Sequence, residues 1–345
     1  MAVRLKDIAR DLGISTVTVS KVLRGNSDVG DKTRARVLKR MKELNYQPNM
    51  LARGLASGKT YTVGLVVPDL VHPFFAEFAK SLSGELRKTH RALLLASSEE
   101  DPVIEMQEIR TLLQRGVDVL IIASCQAVLK NFYELGDNRT PYLLFDRNFP
   151  HLAANFIGND DVVVGEMATR HLIDLGRTRI AHIGARYSSP AFDRLRGYRN
   201  ALAAAGLPAD EDLVVTRERV EEAGDLVGNA MMRDLLKLKP RPDAVFCYND
   251  TTAIGAIEAV LEAGLRVPED VAIIGCGNLR YAAYLKVPLS AIDQNTTELG
   301  KRAAQVAVEL AEKPQAELKC IMIPPKLVAR ESTVGKRRKR TPLNA

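Results

Sequence analysis

The four cysteines, Cys125, Cys247, Cys276 and Cys320, lie far apart and form no CxxC pair, which excludes a disulfide framework or a spaced-thiol zinc site. Three fall in strand-like apolar runs and Cys125 just after one, so all four read as small buried hydrophobes. No window of about 18 uncharged apolar residues occurs, so no membrane span is expected. Residues Met1 to Asp11 alternate charged and apolar side chains and lack the apolar core of a signal peptide, so the expected compartment is the cytoplasm. The five histidines, His72, His90, His151, His171 and His182, show no metal-ligand spacing, and His171 and His182 read as packing residues. No GxSxG, P-loop or strand-following GxGxxG is present. Catalysis, a metal and a cofactor therefore have no basis in the sequence.

What is present is a chain of 345 residues, long enough for two or three domains, with 46% hydrophobic and 26% charged residues, as in an ordinary globular protein. Its charge is unevenly placed. Residues 1–60 hold 13 Lys and Arg against 5 Asp and Glu, residues 61–335 hold 31 against 37, and the run Lys336 to Arg340 is wholly basic. A basic head on a mildly acidic body points to nucleic acid or an anionic surface. The tail reads as a disordered charge run giving nonspecific, salt-sensitive contacts.

The head opens with a helix whose Leu5, Ile8, Ala9 and Leu12 share one face, and Gly13 supplies the stop. Ser15 is a good N-cap for a second helix burying Val19, Val22 and Leu23. A third, over about 31–45, is expected to bury Val37, Leu38, Met41 and Leu44. Ala9, Gly13 and Val19 fall at the helix crossing, the turn and the return contact of a helix-turn-helix. The exposed side chains of its second helix are Ser15, Thr16, Val17, Thr18, Ser20 and Lys21, whose hydroxyls can reach phosphates or base edges and whose methyls can touch thymine. Pro48 then presets a further helix start, and 49–56 is too short to be a stable helix alone.

From Tyr61 the pattern becomes βαβα. Strands are predicted at 62–67, 92–96, 119–123, 142–145, 179–183, 244–248 and 271–276, and helices at 74–88, 103–115, 164–175, 190–205, 223–236, 252–263 and 297–312. The fold class is α/β, with parallel sheets covered on both faces, and two doubly wound lobes fit better than one barrel. Asp69, Asp146, Asn249 and Gly277 fall at or just past strand carboxyl ends, where such sheets bind ligands. Arg194 can donate two parallel hydrogen bonds, and Phe74 or Phe75 can stack on an apolar sugar face.

The segments Leu5-Lys6-Asp7-Ile8-Ala9-Arg10, Gly13-Ile14-Ser15, Thr18-Val19-Ser20-Lys21-Val22-Leu23 and Leu44-Asn45-Tyr46-Gln47-Pro48-Asn49 resemble the head of the lactose-repressor (LacI) family, and Ala52-Arg53-Gly54-Leu55-Ala56 resembles its hinge helix. The resemblance implies a hinge that orders only on DNA, with Leu55 wedged into the minor groove. It implies DNA contacts from Leu5, Ser15, Thr16, Val17, Thr18, Ser20, Lys21, Asn49, Arg53, Leu55 and Ala56.

The body carries the resemblance onward through Thr62 to Asp69, Pro73-Phe74-Phe75, Phe145-Asp146-Arg147, His171 to Gly176, Arg194 with Gly197-Tyr198, Asn249-Asp250, Val267 to Val271 and Leu327 to Ser332. It implies a two-lobed periplasmic-binding-protein-like body behind an all-α helix-turn-helix head. The implied parts are a head at 1–47, a hinge and linker at 48–60, a body at 61–335 and a basic tail at 336–345. The implied lobes are about 61–160 with 293–322, and 161–292 with 323–335. Effector contacts are expected from Asp69, Phe74, Phe75, Asp146, Arg194, Asn249, Asp250, Gly277 and Gln294.

One departure matters: Gly277 stands where sugar-responsive members carry an acidic ligand-binding residue, which leaves open a larger ligand, a phosphorylated one or none. The reading is a DNA-binding transcriptional regulator, expected to repress, forming a homodimer on an inverted-repeat operator and controlled by a small-molecule effector of the sugar or sugar-derivative class. A dimer is expected because the C-terminus shows a basic run in place of the leucine heptads of the family's tetramers. The alternatives are a solute-binding protein, which would share the body but not the basic head, and a regulator with no effector.

Overall fold

The computed structural model describes residues 3–23, 28–46, 59–126, 129–136, 140–149, 151–218, 220 and 223–335. Asn49, Arg53, Leu55, Ala56 and the basic tail lie outside them. The chain divides into two packed units, 1–60 and 61–345.

In the first unit, α1 (Leu5–Leu12) ends at Gly13, whose φ of 64° lets the Ile14 amide return to the Ala9 carbonyl at 3.1 Å. Ser15 caps α2 (Thr16–Leu23), its Oγ accepting from the Thr18 amide at 3.0 Å. With α3 (Asp31–Glu43), these helices bury Ile8, Ala9, Val19, Val22, Val29, Val37 and Met41. Leu38 does not join them: it is 51% exposed, because it lies about 100° around α3 from Val37. Arg40 joins α3 to α1, donating to Asp11 at 2.6 Å and to Glu43 at 3.0 Å, so this arginine serves the fold.

The second unit holds two six-stranded sheets. The first comprises β1 (Thr62–Val67), β2 (Ala92–Ser97), β3 (Val119–Ile122), β4 (Tyr142–Phe145), β5 (Asn155–Gly158) and β11 (Cys320–Met322), in the order β2-β1-β3-β4-β5-β11. The second comprises β6 (Ile180–Ala185), β7 (Val214–Arg217), β8 (Ala244–Cys247), β9 (Ala272–Cys276), β10 (Ser290–Asp293) and β12 (Lys326–Val328), in the order β7-β6-β8-β9-β10-β12. Every described pairing is parallel except β10 with β12. Nearly all of β1, β3, β8 and β9 is buried, as strands covered on both faces require.

On the first sheet, α4 (Pro73–Lys88) and α11 (Thr296–Glu312) cover one face, and α5 (Pro102–Gln114) and α6 (Lys130–Gly136) lie toward the other. On the second, α7 (Asp161–Asp174) and α8 (Ser189–Ala204) cover one face and α9 (Gly224–Leu236) and α10 (Asp250–Glu262) the other. The short α12 (Glu331–Val334) closes the described chain. The chain passes between the lobes three times, after β5, β10 and β11.

All seven predicted strands and seven predicted body helices are present, which makes the α/β, two-sheet reading correct. The unpredicted strands β5, β7, β10, β11 and β12 have three or four residues each, too few to show a period. Cys247 and Cys276 are buried as expected, but Cys320 is exposed on the peripheral β11 and Cys125 is only half-buried. His182 is buried between Tyr198 and Phe246, its Nδ1 3.1 Å from the Phe246 carbonyl oxygen, and His171 Nε2 lies 2.8 Å from Thr333 Oγ1.

Candidate ligand cleft and nucleic-acid-binding face

In each sheet the strand order reverses beside its first strand, β1 or β6, so the loops leaving the carboxyl ends diverge there and open a crevice. The two crevices face each other. A cavity of about 20 Å³ between them is lined by Phe74, Phe75, Asp146, Arg194, Asn249, Gly277 and Gln294, all expected from the sequence. His72, Tyr248, Cys276 and Leu279 complete it and were not expected. His72 has a local signal: it precedes Pro73 at the start of α4, on the same loop as the phenylalanines.

Asp69 and Asp250 are not among the lining residues. Asp69 folds its own loop, Oδ1 accepting from the Val71 amide at 2.7 Å. Phe74 and Phe75 are both core and wall. They are buried, and Phe74 stacks on Phe145 with ring centroids 5.6 Å apart. Asp146 is buried at a φ of 62°, which turns the chain sharply off β4. Asn249 caps α10, its Oδ1 accepting from the Thr252 amide at 2.9 Å, and its Nδ2 lies 3.3 Å from His72 Nε2 on the opposite lobe. Gln294 sits in a crossing segment and donates to Asn159 Oδ1 at 3.2 Å.

Arg194 is only 3% exposed. Its Nε donates to Asp161 Oδ1 and its Nη1 to the Tyr248 carbonyl, both at 2.7 Å, and its guanidinium lies 4.8 Å from the Tyr248 ring centre. Burial opposes that charge most strongly of any single effect, but Asp161 together with the neighbouring Cys276, Tyr248 and Asp146 outweighs it and raises the guanidinium pKa. Burial in turn pushes the Asp161 carboxyl up against the pull of Arg194. Asp161 escaped sequence reading because the pair exists only where α7 crosses α8. That crossing is close: a Cβ on Gly165 would fall 2.2 Å from the Arg194 carbonyl oxygen, and one on Gly197 2.1 Å from that of Val162.

Asp250 lies beneath the cavity floor, 1% exposed. Its Oδ2 accepts from the Leu279 amide at 2.7 Å, while Oδ1 has no hydrogen-bond partner among the described residues. Burial raises its pKa to about 7, against the Leu279 N–H and Arg330. This accounts for Gly277. A Cβ there would lie 3.6 Å from Asp250 Oδ2, so an acidic side chain would set a second carboxylate beside a buried one, at a φ of 131° that suits glycine.

On the first unit, Ser15, Thr16 and Val17 are exposed, Val17 by 62%, while Thr18, Ser20 and Lys21 are half-buried. Ser15 and Thr18 share a hydroxyl hydrogen bond of 2.9 Å, and Lys21 Nζ pairs with Asp28 at 2.5 Å. Leu5 is half-buried and packs against the helical core.

Residues 4–49 match the lacI family of bacterial regulatory proteins, and residues 169–333 match a periplasmic binding protein-like domain. The ribose operon repressor of Haemophilus influenzae is 35% identical over 95% of this chain and 98% of its own length. The transcriptional regulator DegA of Bacillus subtilis is 32% identical over 96% and 98%. Among solved structures, the regulator CelR in complex with cellobiose is 30% identical with a TM-score of 0.71, over 96% of this chain and 99% of that one. A Lac repressor dimer bound to operator, 24% identical, has a TM-score of 0.84 over 96% and 99%, a likeness of fold. With relatives matched from end to end, the chain belongs to the LacI family of bacterial regulatory proteins, which are transcriptional regulators and not enzymes.

Proposed function

We propose that this regulator is a cytoplasmic homodimer that represses transcription from an inverted-repeat operator under the control of a small-molecule effector bound in the cleft around Arg194. The single observation carrying the effector reading is the convergence of Phe74, Asp146, Arg194, Asn249, Gly277 and Gln294 from two separate sheets on one cavity. The three interlobe crossings give the lobes a hinge, so effector affinity and operator affinity are linked reciprocally. The functional parts are a head at 1–47, a hinge at 48–60, the body at 61–335, with lobes of about 61–160 with 293–322 and 161–292 with 323–335, and a basic tail at 336–345. Ser15, Thr16, Val17, Thr18, Ser20 and Lys21 read the major groove. Leu5, Asn49, Arg53 and Ala56 add backbone and minor-groove contacts, and Leu55 is the wedge. No described helix is long and apolar enough to cross a membrane, consistent with a cytoplasmic site of action.

Fluorescence anisotropy with labelled inverted-repeat duplexes tests the reading. Sequence-selective, salt-sensitive binding is expected, and its absence refutes the proposal. Arg194→Ala should abolish the effector response and spare DNA binding; an unchanged effector titration removes Arg194 from the site. Leu55→Ala should weaken specific binding more than nonspecific binding, and equal losses would count against the wedge. Sedimentation equilibrium should give a dimer, and a tetramer would contradict the homodimer.

A further inference from the structure

The three segments that join the lobes are short: 159–160 after β5, 294–295 after β10 and 323–325 after β11. One buried side chain ties all three together. Asn159, 5% exposed, stands in the first segment. Its Nδ2 donates to the Gln294 carbonyl in the second at 3.1 Å and to the Ile323 carbonyl in the third at 2.7 Å. Its Oδ1 accepts from Gln294 Nε2 at 3.2 Å, so Asn159 and Gln294 hold each other by two hydrogen bonds. The amide has one orientation only, since turning it over would set Oδ1 against two carbonyl oxygens.

The third segment depends on such a partner. Pro324 and Pro325 bring no N–H, so the segment is fastened at Ile323, whose amide donates to the Gly158 carbonyl at 2.8 Å and whose carbonyl Asn159 holds. The clasp also meets the cavity on two sides. Gln294 is itself a wall, and two residues beyond Asn159 the chain reaches Asp161, which holds Arg194 at 2.7 Å. A group pressing on Gln294 or Arg194 therefore presses on residues that Asn159 binds or adjoins. Asn155, at the start of β5, is the matched contrast, as deeply buried and also an amide. Its Nδ2 donates to the Tyr142 carbonyl at 3.4 Å and its Oδ1 accepts from the Lys319 amide at 3.0 Å, but both partners belong to its own lobe.

We propose that Asn159 is the pivot of the two lobes: it keeps the three crossings in one register, so that they turn together, and it is the positioning residue that couples the cavity to the lobe joined to the head. The proposal rests on the cleft being the effector site. Asn159 is not among the cavity walls; it acts through Gln294. Without its amide each crossing keeps its backbone path, but the carbonyls of Gln294 and Ile323 lose a shared donor. Buried acceptors that lose a partner are costly, so the crossings then open locally and one at a time. A shift at Gln294 no longer reaches the other two.

Because coupling between two sites is reciprocal, operator DNA can serve as the probe in place of an effector. Hydrogen exchange is followed by mass spectrometry on the full-length protein, alone and with an inverted-repeat duplex selected from a randomised pool. Without DNA, Asn159→Ala should raise exchange about tenfold in all three crossings, whereas Asn155→Ala should loosen only the β5–β11 contact. In the parent, operator should change protection around 277–279 and 294–296. In Asn159→Ala that response should fall below about a third of the parent's, while operator affinity by anisotropy stays within about threefold. Asn159→Ser keeps one donor and should fall between the two, which preserves the test if the alanine variant does not fold. Faster exchange confined to the first crossing, or a cavity that responds as fully in the variants as in the parent, overturns the proposal while leaving the cleft reading intact. A parent that binds operator with no change at the cavity defeats the cleft reading itself, and the pivot with it.

Discussion

Replacing Asp161 by asparagine removes the charge partner of Arg194 and keeps the side-chain volume. Both groups are nearly inaccessible, and the 2.7 Å contact between them is their ion pair among the described residues. Breaking a buried pair from one side costs about 3–5 kcal/mol, because the remaining charge stays desolvated. Two contacts survive, the hydrogen bond to the Tyr248 carbonyl and the packing on its ring, so the loss should fall near the lower end, about 3 kcal/mol. For a unit of this size that lowers the melting temperature by roughly 6–12 °C. Urea unfolding measures the free energy, and a cycle with Arg194→Met supplies the control. Removing both charges should restore most of the stability while leaving the effector response absent, which separates the structural role of the pair from its recognition role. A loss below about 1 kcal/mol for Asp161→Asn, or a double variant as unstable as the sum of the singles, would refute the assignment.

Gly165→Ala or Gly197→Ala should force α7 and α8 apart, since each new Cβ meets a backbone oxygen near 2 Å; a loss of about 1–3 kcal/mol with weakened effector binding and normal operator affinity is expected in thermal and anisotropy measurements. Asp28→Asn releases Lys21, so the slope of log K against log salt for DNA binding should steepen by about 0.9, and an unchanged slope means Lys21 meets no phosphate. Burial raises Asp250 to about 7, so its contribution is lost as pH rises from about 4 to 7, and lowers His182 to about 4, so its contribution is lost as pH falls from about 6.5 to 4. The two oppose each other between those limits, and Asp250→Asn should unmask acid destabilisation of about 2 kcal/mol between pH 7 and pH 5 in urea titrations; parallel profiles for variant and parent would sink this account.

Much of the fold could be read from the sequence because its long elements repeat strong local signals. Gly13 had to stop α1, Ser15 had to cap α2, and the apolar runs of β1, β3, β8 and β9 could only be strands covered on both faces. The strand ends then led to Asp146, Asn249 and Gly277, since ligand sites of open parallel sheets follow from topology alone. Asp69 satisfied that rule yet caps its own loop, because a strand end supplies position but says nothing of which way a short side chain turns. Leu38 fails for a simpler reason: α3 needs only the stripe of Val37, Met41 and Leu44 against two short helices.

What stayed hidden depends on pairs of elements distant in the chain. Asp161 meets Arg194 through a helix crossing that two glycines permit, and neither carboxylate nor glycine announces it alone. Gly277 is the clearest case. Taken by itself it is a missing ligand-binding carboxylate, which argues against a sugar. Set beside Asp250, at a backbone φ of 131° that residues with a Cβ rarely adopt, it is a position where an acidic side chain would be strained and would stand next to a buried carboxylate. The loss of that anchor is therefore a property of the floor of the cleft.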